Sequence, residues 1–133
     1  MEAQIALITI LTDDVPRLVA FYHTVLGFAI KQDLEQYVEF ESPGVRFAIC
    51  ARAVLFSVSQ HPSYKQTHSG QAFELAFLLE SSAAVDQRYM EIVLQGATPV
   101  QTPMDMPWNQ RTAMFADPDG NIHELFCDLP QDN

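Results

Sequence analysis

The chain contains the same order of secondary-structure signals twice, and this duplication restricts its fold more than any single motif does. Each half begins with an apolar stretch rich in β-branched residues and continues with a helix-capping group, a helical stripe of apolar residues and a closing glycine. Further apolar stretches separated by turn residues complete each half. The closing glycines, Gly27 and Gly96, occupy matching places. The sequence therefore predicts a βαβββ unit followed by a second copy of it.

The same signals predict the elements of each copy. In the first half a helix begins after Thr12-Asp13-Asp14 and ends at Gly27. The strands predicted around it are residues 3–11, 28–34, 36–41 and 45–50. In the second half a helix begins after Ser81-Ser82 and ends at Gly96. The strands predicted around that helix are residues 73–79, 98–102, 112–116 and 122–127.

The 133 residues fit one domain with a core of its own. We expect a first module at about residues 3–51, a second at about 72–128, and a polar linker over residues 52–71 between them. The predicted fold class is α+β. Each helix covers one face of its own sheet, which leaves the other sheet faces to meet or to curl around a cleft.

Charge and composition exclude several classes of function. Lys and Arg number 7 against 17 Asp and Glu, a formal net charge of −10, whereas nucleic acid and anionic membranes call for a basic surface. No apolar run approaches the roughly 20 residues that span a bilayer. Cys50 and Cys127 lie in apolar stretches without the spacing of metal ligands. We therefore expect buried free thiols and a cytoplasmic protein.

Two acids stand out because they interrupt apolar strand faces. Glu124 follows the turn Asp117-Pro118-Asp119-Gly120-Asn121 and shares a strand face with Ile122 and Phe126. Glu74 shares a face with Ala76 and Leu78, and alternation places that face toward the cleft. A carboxylate among apolar neighbours is costly to bury without a partner. Two interpretations stay open: contact with a ligand, or acids that face water or bond the local backbone and serve only the fold.

Trp108 and its neighbours form a second candidate region. Trp108 is the only tryptophan and follows a proline in a loop, where its ring is able to stack on an aromatic or cationic ligand or to pack on the sheet as a lid. Met114 and the methionines nearby offer an adaptable wall. Arg111 is a candidate for binding a carboxylate or phosphate, with pairing to one of the many acids as the alternative.

Several fragments in a fixed order resemble the vicinal oxygen chelate superfamily. They are Asp14, Phe21-Tyr22, Leu26-Gly27-Phe28, Phe73-Glu74-Leu75-Ala76-Phe77, Pro107-Trp108, and Phe115 to Asn121 with Glu124. That superfamily holds glyoxalases, extradiol dioxygenases, and fosfomycin- and bleomycin-resistance proteins. The resemblance implies a U-shaped sheet around a cleft and a homodimer. In its metal-dependent members a divalent ion chelates two substrate oxygens.

The ligand positions implied by the resemblance match this chain poorly. The first-strand ligand, typically histidine, falls on Leu7, and the other two positions fall on Glu74 and Glu124. Two carboxylates are few for a transition metal, although Mg²⁺ or Mn²⁺ binds such sites weakly. The histidines that would have to complete the shell are His23, His61, His68 and His123. We expect no metal, with a divalent ion as the alternative.

The function predicted is metal-free binding of a small aromatic or cationic molecule. The resemblance to the drug-sequestering, bleomycin-resistance-like branch implies a role in antibiotic resistance. The residues predicted to contact the ligand are Leu7, Glu74, Trp108, Arg111, Met114 and Glu124. One alternative is a glyoxalase-like lyase, isomerase or dioxygenase that uses Glu74 and Glu124 as metal ligands or as an acid/base pair. Another is a dimerisation scaffold without a ligand.

Overall fold

A computed structural model of the chain describes residues 2–130. It contains two βαβββ arrangements in sequence, so the predicted α+β fold class is confirmed. The chain divides into two compact units after Ser69, called here the first unit and the second unit. Among the described residues, no helix has the length and apolar character needed to cross a membrane.

The first unit has one mixed sheet in the order β1-β4-β3-β2, with β1 parallel to β4 and the other pairs antiparallel. Its strands are β1 (Leu7–Thr12), β2 (Ile30–Asp33), β3 (Tyr37–Phe40) and β4 (Arg46–Ala51). Its helices are α1 (Val15–Ala20), which continues as a π-helical turn (Phe21–Val25), and α2 (Arg52–Ser59), followed by a 3-10 turn (Pro62–Lys65).

The core of the first unit is an aromatic cluster between its helical segment and one sheet face. Tyr22 lies 5.2 Å from Phe47 and 6.2 Å from Phe40, measured between ring centroids. Phe28 completes the cluster, 5.3 Å from Phe47. Phe40 and Phe47 are register partners and therefore share a face, which is the helix side of this sheet. Offset and edge-on ring contacts of this kind add to the stabilisation from burial.

The second unit repeats the arrangement, with its sheet in the order β5-β8-β7-β6. Its elements are β5 (Ala76–Leu78), α3 (Ser82–Leu94), β6 (Thr98–Met106), β7 (Gln110–Ala116) and β8 (Ile122–Asp128). Helix α3 is capped by Ser81, whose Oγ accepts a hydrogen bond from the Ala84 amide. The helix packs its buried residues Val85, Tyr89 and Ile92 on the sheet.

The turn before β8 is held by one buried carboxylate. Asp117 is 2% exposed, and its Oδ1 accepts hydrogen bonds from the amides of Asp119 and Asn121, each at 3.0 Å. Its Oδ2 accepts a hydrogen bond from the side-chain amide of Asn121 at 2.9 Å. Gly120 has φ +88°, a conformation that non-glycine residues adopt with strain. The turn chemistry read from the sequence is thus present, and it fixes the register of β7 against β8.

Several predicted elements differ in extent from the structure; the strand predicted over residues 98–102, for example, continues to Met106. The segment predicted as a polar linker contains α2, which ends at Gln60 in the left-handed conformation. The first strand begins at Leu7 and not at residue 3, because its partner β4 begins at Arg46, opposite Leu7. The strand predicted over residues 73–79 narrows to β5, where parallel pairing with β8 occurs.

Candidate functional site

The face of the second sheet that points away from α3 carries Glu124 at its centre. Register places Ala76 on one side of Glu124 and Met114 on the other. The neighbouring residue His123 pairs with Phe115, which is fully buried, and so belongs to the helix side. Alternation along β8 therefore holds Glu124 on the face opposite the core.

Glu74 and Glu124 interact directly with each other. The carboxyl group of Glu74 lies close enough to influence the ionisation of Glu124. Burial raises the pKa of Glu124 above its ordinary value, and the charge and hydrogen bonding of Glu74 raise it further. Among the ion pairs of the described residues, none involves either acid. The structure thus brings together the two acids that the sequence singled out.

Apolar side chains surround this acid pair on the same face. Leu78 and Phe126 are register partners, and Thr112 and Met104 continue that row across the sheet. Leu78 is 65% exposed and Met104 is 49% exposed, which is high for residues of their size. The hydroxyl oxygen of Thr112 is buried and has no hydrogen-bond partner in the described part of the chain. The face therefore combines exposed apolar surface with an acidic centre.

Trp108 lies at the tip of the hairpin between β6 and β7. The tip is the short turn Pro107-Trp108-Asn109, in which Asn109 adopts φ +65°. The side-chain amide of Asn109 donates a hydrogen bond to the Leu129 carbonyl at 3.0 Å and fastens the turn. Trp108 is 60% exposed, so its ring is available for stacking.

Arg111 lies on the helix side of the sheet, away from the acid pair. Its Nε donates to Asp86 of α3 at 2.7 Å and its Nη1 donates to Asp105 of β6 at 3.0 Å. The alternative recognised from the sequence, pairing with nearby acids, is the geometry that the structure shows. Arg111 therefore holds α3 against the sheet and does not share the face of Glu124.

None of the four histidines shares the face of the acid pair within the second unit. His123 is 1% exposed on the helix side, and its Nδ1 accepts a hydrogen bond from the Leu75 amide at 3.0 Å. Burial lowers the pKa of His123, although Asp117 at 3.9 Å opposes this shift. The other three histidines, His23, His61 and His68, belong to the first unit and are exposed.

Leu7, the remaining predicted contact residue, lies in the first unit on the sheet face that points away from the aromatic cluster. It pairs with Arg46, and the next residues on that face are Thr9 and Ala48. Leu7 is 37% exposed. The leucine side chain has no oxygen, nitrogen or sulfur atom that could coordinate a metal ion at this position.

Sequence reasoning missed a third acid, Glu39, on this face of the first sheet. Glu39 is 3% exposed and accepts hydrogen bonds from Arg46 Nη2 at 2.7 Å, Arg46 Nε at 3.0 Å and Tyr37 Oη at 3.1 Å. Chiefly because of the hydrogen bonds from Arg46, the pKa of Glu39 falls to about 2. The alternation of Tyr37 and Glu39 on one predicted strand, with Arg46 on the next, was the available signal.

The side chains of the described residues do not fit a tightly bound metal. They form no group of three or more His, Cys, Asp or Glu side chains arranged to hold an ion. Glu74 and Glu124 supply two oxygen ligands, and the histidine of the same unit lies on the other side of its sheet. A transition metal normally takes imidazole or thiolate in addition to carboxylate.

Comparisons with known proteins agree with the architecture. A family model described as Glyoxalase/Bleomycin resistance protein/Dioxygenase superfamily matches residues 4–125. A glyoxalase/bleomycin resistance protein/dioxygenase structure from Nocardioides is 27% identical, covers 100% of this chain and 88% of its own, and has a TM-score of 0.88. No curated protein sequence matches this chain.

Two further solved structures show likeness in fold alone, because their sequence identity is low. A glyoxalase/bleomycin resistance protein/dioxygenase family enzyme from Burkholderia phytofirmans is 22% identical, with a TM-score of 0.85 over 96% of this chain and 100% of that one. A lactoylglutathione lyase from Agrobacterium tumefaciens is 20% identical, with a TM-score of 0.72 over 96% of this chain and 95% of that one.

Proposed function

This chain belongs to the Glyoxalase/Bleomycin resistance protein/Dioxygenase superfamily, and from that premise we propose that it binds a small organic cation with an aromatic or apolar body. The cationic group binds at Glu74 and Glu124, and the apolar body lies on the exposed residues around them. The binding uses no metal ion. The protein retains its ligand and does not transform it.

One observation supports the proposal: Glu74 raises the pKa of Glu124, and within residues 2–130 no positive side chain is paired with either acid. Two neighbouring carboxyl groups without a basic partner favour a ligand cation beside them. Such a cation lowers the pKa of Glu124 and lets both carboxylates ionise. The affinity for a cation therefore rises as the pH rises through the raised pKa of Glu124.

The apolar part of the ligand is expected on the same sheet face. Leu78 and Met104 are exposed there, and Met114 is the register partner of Glu124. Methionine side chains adapt to varied shapes, which suits a site that accepts several related molecules. Trp108 lies at the exposed hairpin tip of the same unit, beyond the end of β7 from Met114, so its ring stacks only on a part of the ligand that extends away from the acid pair. This combination supports sequestration of a class of molecules over recognition of one.

The raised pKa of Glu124 also favours a second candidate function. A carboxyl group whose pKa is raised holds its proton to higher pH than an ordinary carboxyl group does, which suits it to proton transfer as a general acid or base. In that case the protein is a lyase or isomerase in which Glu124 moves a proton and Glu74 sets its pKa. The two functions differ in one respect: a binding protein releases its ligand unchanged, whereas an enzyme releases a chemically altered product.

Isothermal titration calorimetry tests the proposal on the full-length protein. We expect benzyltrimethylammonium to bind saturably and benzyl alcohol, its neutral analogue, to bind much more weakly. Glu124→Gln and Glu74→Gln should each weaken binding about tenfold or more, since each removes one of the charges facing the cation. The control variant Glu91→Gln, which replaces an acid of α3 on the other side of the sheet, should leave the affinity unchanged.

Two results would contradict this account. One is equal affinity for the cation and its neutral analogue, since the acids would then have no part in binding. The other is one stoichiometric divalent ion per chain in protein purified without chelator, lost in Glu124→Gln, which would favour a metal-dependent enzyme. Recovery of chemically altered ligand, abolished by Glu124→Gln, would instead establish the second candidate function.

A further inference from the structure

The first unit contains a polar pocket of about 420 Å³ that neither acid of the second unit lines. Its wall is formed by Leu11 in β1, Arg52 at the start of α2, and six residues of the segment 63–69, which begins within the 3-10 turn; Lys65 is the member of that segment that does not line the pocket. Its volume lies in the range of about 300–1,000 Å³ that is usual for small-molecule sites. All of the lining residues belong to the first unit.

Arg52 is a largely buried cation that is poorly satisfied by the protein. Its side chain is 17% exposed, yet its Nη2 donates only a long hydrogen bond, 3.4 Å, to the Leu11 carbonyl. Its Nε is 3.5 Å from Asp13 Oδ1, and this buried nitrogen has no hydrogen-bond partner in the part of the chain described. A buried charge without short hydrogen bonds is costly to the fold.

The two arginines on sheet strands, Arg46 and Arg111, form shorter contacts with carboxylates than Arg52 does. Arg46 reaches Glu39 at 2.7 Å, and Arg111 reaches Asp86 at the same distance. Arg46 and Arg111 are 56% and 22% exposed, so both also have more access to water than Arg52 has. The least exposed of the three therefore has the weakest contacts, and it is the one that lines a pocket.

The remaining lining of the pocket is rich in hydrogen-bonding groups and contains no acid. Hydroxyl groups come from Ser63, Tyr64, Thr67 and Ser69, an amide from Gln66 and an imidazole from His68. The residues that line the pocket include an arginine and no carboxylate, in a chain with a net charge of −10. Asp13, which is not a lining residue, lies 3.5 Å from Arg52 Nε, and its Oδ2 accepts a hydrogen bond from Thr67 at 3.4 Å.

We propose that this pocket binds a small hydroxylated molecule that carries one carboxylate or phosphate group. The oxyanion pairs with the Arg52 guanidinium, which forms short, charge-assisted hydrogen bonds to such groups. Hydroxyl groups of the ligand bond to the hydroxyl and amide side chains of segment 63–69. The site is separate from the acid pair of the second unit, and its ligand has the opposite charge.

Amide NMR spectra of the ¹⁵N-labelled full-length protein test this site with defined probes. The probes are inorganic phosphate, glycerol 3-phosphate and glycerate, with glycerol as the neutral control. We expect saturable shifts at Arg52 and over residues 63–69, weaker at high salt and absent with glycerol. Tighter binding of glycerol 3-phosphate than of glycerate identifies a phosphate ligand, and the reverse order identifies a carboxylate.

Two variants tie these shifts to Arg52. Arg52→Gln should weaken binding about tenfold or more, whereas Arg88→Gln, which removes an equal charge from α3 in the second unit, should not. Asp13→Asn removes an exposed carboxylate that competes for Arg52 and should tighten binding about two- to fivefold. Since Asp13 is exposed, this variant tests the site even if Arg52→Gln does not fold.

The proposal is overturned if no probe shifts these amides in either the unmodified protein or Asp13→Asn. It is also overturned if glycerol shifts them as strongly as glycerate does, or if the affinity is the same in a folded Arg52→Gln variant. None of these results depends on the binding of cations to Glu74 and Glu124, so the two proposals stand or fall separately.

Discussion

The two units place an acid on the same kind of sheet face and treat it in opposite ways. Glu39 in the first unit accepts hydrogen bonds from Arg46 and Tyr37, and its pKa falls to about 2. Glu124 in the second unit faces another acid, Glu74, and its pKa is raised. The first acid is held by the protein's own cation and is part of the structure. The second has no basic side chain paired with it among residues 2–130.

Strand register shows how the duplicated pattern diverged. Thr9 pairs with Ala48 in the first sheet, and Ala76 pairs with Glu124 in the second. When these two pairs are matched, Ala48 occupies the position that corresponds to Glu124. Leu7 then occupies the position that corresponds to Glu74. Glu39 pairs with Ala48, and Met114 pairs with Glu124. The acid of the first unit thus lies one strand away, within reach of an arginine. The difference in pKa follows from this shift of position.

Of the predicted changes, removal of Glu39, the acid that is hydrogen-bonded to Arg46 and Tyr37, should have the largest effect on stability. In Glu39→Ala, the Arg46 guanidinium, which is 56% exposed, and the Tyr37 hydroxyl lose their shared partner. We expect the melting temperature to fall by about 2–5 °C. The matched change in the second unit, Glu124→Ala, should lower it by less, because among residues 2–130 no basic side chain is paired with Glu124. Calorimetry of both variants makes the comparison, and a larger loss in Glu124→Ala would break it.

The two acids should also give stability an opposite dependence on pH. The pKa of Glu39 is lowered, so its contribution is present above 4.5 and is lost as the pH falls toward about 2. The pKa of Glu124 is raised, so its contribution is present below 4.5 and is lost as the pH rises through the higher value.

Urea unfolding between pH 3 and pH 8 measures this difference. Glu39→Gln should be less stable than the unmodified protein at pH 7, with a smaller gap at pH 3. Glu124→Gln should match the unmodified protein at pH 4 and become the more stable of the two at higher pH. Parallel pH profiles for the two variants would show that the environments of the two acids do not differ as described.

The smallest effects should come from features that the two units share. Asp14 accepts a hydrogen bond from the Arg17 amide at 3.2 Å and caps α1, as Ser81 caps α3. Asp14→Ala and Ser81→Ala should each lower the free energy of unfolding by about 1 kcal/mol. Asp14→Asn and Ser81→Thr, which keep an acceptor, should recover most of the loss. An effect in one unit only would show that the caps, like the acids, have diverged.

Local signals in the sequence were enough to predict the fold. The caps at Asp14 and Ser81, the glycines after both helices, and the turn at Asp117–Asn121 each restrict the backbone over a few residues, independently of tertiary contacts. Pairing is not local, which is why strand ends were wrong. The strand predicted from residue 3 begins at Leu7 because β4 offers no partner earlier.

The candidate site was predictable only in part. Alternation along one strand was sufficient to place Glu124 opposite His123, and a similar argument placed Glu74 on the same face. The contacts of Arg111 with Asp86 and Asp105, and of Arg46 with Glu39, depend on which strands and helices lie side by side. Residue type and spacing alone do not determine such contacts between elements.

The carboxyl titration of Glu124, followed by ¹³C NMR, tests the central claim most directly. We predict that Glu124 titrates above 4.5, that Glu39 titrates near 2, and that Glu74→Gln moves the titration of Glu124 downward while leaving that of Glu39 in place. A saturating organic cation should likewise lower the pKa of Glu124. A Glu124 that titrates at or below 4.5 in the free protein, unaffected by Glu74→Gln, would contradict the account.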